Sequence, residues 1–220
     1  MLAFLTVLMV LALGYAYLVE GIFTAFLMCC NVMASGLIAF NFWEPIADQL
    51  ESMFRGTFLQ GYEDALSLVL IFTITLGLLR VITNNLANTR IEFDERAQGI
   101  GGAIFGMATG YLTAGFLACV LQTMPFSVTF MNFDARYDPQ QGGLRRILPP
   151  DRVWLAMMHY AGSRPFSTGE YDPTFDQSGT FELRYARYRR LTEDGKVQAY
   201  GGELDQEMRA RPSSGGAVSP

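Results

Sequence analysis

Long stretches without a single charged side chain organise the first half of the chain. Residues 1–19, 21–43 and 97–133 contain no Asp, Glu, Lys or Arg, and residues 65–82 contain only Arg80. Each stretch reaches the ~17–25 apolar residues that a helix needs to cross a ~30 Å hydrocarbon layer. The pattern predicts four transmembrane helices, at 2–18, 21–43, 65–82 and 99–124. Only Val19 and Glu20 separate the first two, which implies a tight hairpin, and the last two would form a second. Arg80 lies near the end of the third span, where its guanidinium can snorkel to the headgroups. Pro125 stops the fourth. The first span has no basic lead and no small-residue cleavage site before Glu20, so it reads as a retained helix.

Between spans two and three the periodicity changes. Pro45 suits a first helical position. After it, Ile46, Leu50, Met53, Phe54 and Phe58 recur at three- and four-residue spacing, with Asp48, Glu51 and Arg55 on the other side. This predicts an amphipathic helix over 45–58, lying in the membrane interface or packed over the end of the bundle. Beyond Phe133 the chain turns polar. Residues 126–150 read as a linker, closing in the turn-rich PQQGGLRRILPP at 139–150. Asp151 can cap a short helix through Tyr160 that carries Trp154, Met157, Met158 and Ala161 on one face, suited to docking on the membrane or on the bundle. Alternation in 181–191 and 196–200 about the turn TEDG predicts a β-hairpin, and residues 205–220 read as disordered. The expected fold is therefore an all-α integral membrane domain over 1–125, four helices in two hairpins with an interfacial helix. A small soluble α/β appendage, a short helix plus β-hairpin over 151–204, would follow.

Charge sharpens the division. Residues 1–124 carry four Arg against nine acids, and the remainder twelve basic side chains against twelve acids, within a formal net charge of −5. The basic surplus of a nucleic-acid binder is missing. Basic residues near the spans are too evenly split to orient the bundle. Cys29, Cys30 and Cys119 all fall in apolar runs, without the spacing of a zinc site or a disulfide framework, and read as small hydrophobes.

One constellation stands out. Gly102, Gly106, Gly110, Ala114 and Ala118 recur every four residues along the fourth span, with Gly99 and Gly115 nearby. On a helix they form a stripe with almost no side-chain bulk, where another backbone can approach closely. The stripe would hold the bundle or an oligomer together, or less simply line a pore. Asn31, near the middle of span two, must face protein to satisfy its amide. No Asp, Glu or His lies deep in any span, so neither proton-coupled transport nor intramembrane proteolysis is indicated. The single histidine, His159, has no evident nucleophile partner. No catalytic residue, cofactor or metal site is expected. The arginines at 184, 187, 189 and 190 are flanked by acids and read as a solvated face, with headgroup contact as the alternative.

Taken together, several features resemble the colicin V production family of bacterial membrane proteins. These are Gly21 opening span two, the small-residue run ASGLIA at 34–39, ADQL at 47–50, Leu78–Arg80 ending span three, and the glycines of span four. The likeness covers about residues 1–125. Two departures stand out: the first connection holds only Glu20 where the family has basic residues, and Gln98 stands where an Asp often precedes the glycines. The resemblance implies a four-helix inner-membrane protein linked to toxin production or export and to envelope integrity. Its partners would be the lipid bilayer and a membrane protein or further copies of itself. The expected role is a non-enzymatic scaffold or assembly factor, and the alternative a channel or exporter subunit whose lumen forms on oligomerisation. An enzyme of lipid or peptide chemistry would instead need His159.

Overall fold

The computed structural model describes residues 2–54, 57, 59, 61–86, 94–124, 149–163 and 181. They form five helices: α1 Leu2–Glu20, α2 Ile22–Phe54, α3 Glu63–Leu86, α4 Glu95–Thr123 and α5 Pro150–Ser163. The first four are long and apolar enough to cross a membrane. Their outer faces carry side chains such as Leu11 (61% exposed), Leu78 (60%) and Ile100 (64%), which water would not tolerate in such a density and lipid would.

Pairing of the helices differs from the expected two hairpins. Helix α1 packs on α4, and α2 packs on both α3 and α4, whereas α1 barely meets α2 and α3 barely meets α4. The cause lies partly in the first connection. It is the single residue Gly21, with φ at +96°, and side-by-side helices are usually joined by two to five residues. The two helices diverge there, and α4 takes the place beside α1. Along α4, Phe26 of α2 meets Phe105 at 5.3 Å and Phe40 meets Phe116 at 6.2 Å, so α2 and α4 run parallel.

The amphipathic segment after Pro45 is helical, but it is no separate interfacial helix. It continues α2, which is 33 residues long with Pro45 inside it, about 50 Å at 1.5 Å per residue. Proline removes one helical hydrogen bond. The carbonyl it orphans belongs to Asn41, an exposed residue at the end of the charge-free run, where polar surroundings can satisfy it. On the inner side Trp43 and Ala47 are buried with Ala65 and Leu68 of α3 in one apolar cluster, so this segment packs over the end of the bundle.

Helix α5 departs most from expectation. It begins at Pro150, so Asp151 sits in the first turn and does not cap the helix. It is no soluble appendage. Trp154 is fully buried, its indole over Gly36 of α2 and its Cβ over Gly115 of α4, with Phe116 at 5.7 Å and Phe40 at 6.2 Å. Gly36 is four residues from the middle of the run 21–43, ~6 Å along the axis, so Trp154 enters the layer that the spans cross. Phe181 is buried too, 5.9 Å from Phe40. Among the described residues there is no strand; the expected β-hairpin and the 205–220 tail lie outside them.

If Trp154 locks α5 into the bundle, Trp154→Ala should lower stability by ~3–5 kcal/mol, the usual cost of emptying such a site. Tyr160→Ala, at a 66% exposed position of the same helix, should change it by less than ~0.5 kcal/mol. Denaturant unfolding in mild detergent, followed by tryptophan fluorescence for Tyr160→Ala and by circular dichroism for both, measures the difference.

Candidate functional site: a backbone seam and a polar crossing

Glycine spacing on α4 matches carbonyl spacing on α1. Gly102 faces the carbonyl of Tyr17, Gly106 that of Leu13 and Gly110 that of Met9, four-residue steps running in opposite directions on the two helices. A Cβ at Gly106 would stand 2.6 Å from the Leu13 oxygen, and one at Gly110 2.8 Å from both the Met9 oxygen and the Val10 Cα. No side chain fits. The fit is returned from α1, where a Cβ at Gly14 would stand 2.7 Å from Met107 Cγ. Such close approach multiplies dispersion contacts and allows weak Cα–H···O contacts between the backbones.

Further along α4 the partner changes. Ala114 and Ala118 are buried. One residue on from each, Gly115 meets the Pro150 carbonyl and the Trp154 Cβ, and Cys119 donates its thiol to the Asp151 carbonyl at 3.8 Å. Gln122 Nε2 donates to Asp151 Oδ2 at 3.0 Å, across a buried contact. Ser35 Oγ, Gln122 Oε1 and Trp154 Nε1 are buried with no hydrogen-bond partner among the described residues, so within these Trp154 is held by shape and dispersion. Trp154 and Gly36 are the pair that sequence pattern missed. The small-residue run at 34–39 and a tryptophan on an amphipathic helix were the available signals, and nothing in one dimension joins them.

Asn31 is buried, and its Nδ2 donates to Thr83 Oγ1 of α3 at 3.0 Å; that hydroxyl donates to the Arg80 carbonyl at 3.1 Å. This relay ties the Arg80 backbone to α2. Phe72 stacks on Phe116 at 3.9 Å and Phe40 meets the same ring, so Phe72 and Phe40 are level. Asn31 and Thr83 are level through their hydrogen bond. Arg80 falls between these anchors, ~12 Å along α3 from Phe72 and ~4.5 Å from Thr83, near the height of Val32. Val32 is the centre of the charge-free run 21–43. On α3 itself the apolar span runs Glu63–Asn85, so Arg80 stands toward its C-terminal end, as its place in the sequence suggested. Its side chain is exposed and lies within electrostatic reach of the Tyr17 phenol of α1.

The model of the family described as colicin V production protein matches residues 2–134, a stretch that takes in α1 to α4 whole. The chain belongs to the colicin V production family. No curated protein and no solved structure matches it. The family match holds the backbone seam, Asn31 and Arg80, and ends before α5. In this family member no group of three His, Cys, Asp or Glu side chains that could hold a metal ion occurs among the described residues.

Two substitutions separate a packed glycine from a free one. Gly106→Leu should destabilise the bundle by ~3 kcal/mol or more, because backbone cannot yield as a side chain does. Gly77→Leu, where a Cβ meets nothing within 4 Å, should leave the isolated chain as stable or slightly more so through better helix propensity. Separately, Asn31→Val and Thr83→Val should each cost ~0.6–2 kcal/mol. The double variant should cost little more than either, as a double-mutant cycle in detergent would read.

Proposed function

We propose that this protein is a non-enzymatic scaffold or assembly factor of the bacterial inner membrane. It would serve the production or export of a colicin V-type toxin and the integrity of the envelope, among lipid and a membrane-protein partner or further copies of itself. The family supplies the biological setting. The observation that carries the scaffold role is the use of the small-residue ladder: α1 takes Gly102, Gly106 and Gly110, and α5 takes Gly115. Among the described residues the ladder is spent on the chain's own helices, and what they leave to act on other molecules is their outer wall.

The channel reading keeps one specific support, the exposed charge of Arg80 within the third span. Reconstitution separates the two. Purified protein in liposomes should pass no small solute, and in cells lacking the native copy Gly106→Leu should lower toxin yield and raise detergent sensitivity together. Solute flux through the wild-type protein that Gly106→Leu abolishes would sink the scaffold in favour of a pore.

A further inference from the structure

Helix α5 has two faces of opposite chemistry. Trp154 and Met158 are buried against the bundle, Ala156 and Tyr160 are exposed, and Arg152 and His159 are half-buried. The slot suits the apolar face in shape: the atoms nearest a Cβ at Gly36 all belong to the Trp154 indole, and Gly115 leaves room for the Pro150 carbonyl and the Trp154 Cβ. It suits the polar atoms poorly. Trp154 Nε1 and Gln122 Oε1 are buried there with no hydrogen-bond partner among the described residues, and the Asp151 side chain is shut in with them. An unpaired buried polar group costs free energy that water or a headgroup would return. Shape favours docking and polarity favours exit, so the helix has a second home within reach.

That home is the membrane surface. An amphipathic helix lies there with its apolar face in the acyl boundary, and a tryptophan keeps its ring in the apolar layer and its N–H among headgroups. Charge names the kind of lipid. Between Asp138 and Glu170 the sequence carries four arginines, at 145, 146, 152 and 164, against the single acid Asp151, in a chain whose formal net charge is −5. A basic amphipathic helix of this kind is attracted to anionic headgroups. In the slot its apolar face is spent on protein. Only release lets that face enter the lipid while the arginines hold the headgroups, so anionic lipid binds the two positions unequally, as any ligand that shifts an equilibrium must.

We propose that α5 is a switchable membrane anchor, exchanging between the slot at Gly36 and Gly115 and the surface of an anionic leaflet, whose headgroups draw it out. Release satisfies Trp154 Nε1 at the interface and frees Gln122, one residue from the end of α4, to meet the same polar layer. It also uncovers Gly36, Gly115 and Cys119, a low-relief strip of α2 and α4. The seam between α1 and α4 stays closed, because there backbone meets backbone. The switch operates whichever role the bundle serves.

The full chain with Cys29→Ala and Cys30→Ala keeps Cys119 as its sole thiol. In the docked form that thiol is buried against the Asp151 carbonyl, so its reaction with N-ethylmaleimide reports how often α5 is out. Exchanging phosphatidylcholine vesicles for vesicles rich in phosphatidylglycerol should raise the rate at least about tenfold. Arg152→Gln should take back about fivefold of that, the worth of one arginine at an anionic surface. Gly36→Leu, which puts a side chain where the indole lies, should react fast in both lipids. A second readout uses Trp43→Phe, which leaves Trp154 as the sole tryptophan. Lipids brominated in their acyl chains should quench its fluorescence more strongly in the anionic vesicles. Equal rates or equal quenching in the two lipids overturn the proposal. So does a rise that Arg152→Gln leaves whole, or one of the same size in Gly36→Leu, where no docked form is left to shift. Acceleration by inorganic phosphate in phosphatidylcholine vesicles would mark an anion site without a membrane and overturn it too.

Discussion

Between α1 and α4, three glycines meet three carbonyls with no room for a single β-carbon. Contact of this kind has no adjustable part. A side chain can change rotamer to relieve a clash, but two helical backbones can only move apart, and then every contact along the seam weakens together. In a membrane this matters more than in water, because lipid tails are as apolar as leucine and give no hydrophobic drive for one helix to choose another. Close approach is what distinguishes α4 from lipid for α1. Other placements follow from it: α4 becomes central, α2 lies on its other side, and α3 packs mainly on α2, touching α4 through the Phe72–Phe116 stack.

The seam does not stop where α1 does. Gly115 and Cys119 extend the low-relief surface toward the other end of α4, and α5 lies on it with Trp154 as the wedge. Gly36 on α2 completes the slot. Two glycines on two helices are therefore matched to one tryptophan on a third, Gly36 to its indole and Gly115 to its Cβ, the first of them more than a hundred residues away in sequence. Asp151, buried in the first turn of α5, accepts from Gln122, and its negative charge suits the positive end of the helix dipole. Packing and one charge-assisted hydrogen bond thus bring the segment after the family-matched region into the body of the protein.

Inside and outside obey different rules in this molecule. The interior is closed by small residues and aromatic rings, with the Asn31–Thr83 hydrogen bond as its polar link between α2 and α3. The exterior is apolar on nearly every span, as lipid requires. Arg80 breaks the second rule. Its backbone carbonyl belongs to the Asn31 relay while its side chain is exposed, so one residue ties the interior polar link to the outer wall.

Much of the fold was legible in one dimension. Uncharged runs of spanning length gave the four long helices, because desolvating charge and backbone is so costly in hydrocarbon that composition alone marks the segments. The four-residue glycine repeat was equally plain, since a stripe on a helix is a property of that helix. Which helix fills the stripe was not. The choice of α1 over α2 depends on a one-residue turn and on carbonyl heights that exist only once both helices are placed. Pro45 looked like a beginning and sits within α2, because tertiary packing of Trp43 and Ala47 outweighs one lost hydrogen bond. Sequence determines which segments must leave water; only their mutual packing decides what each one then faces.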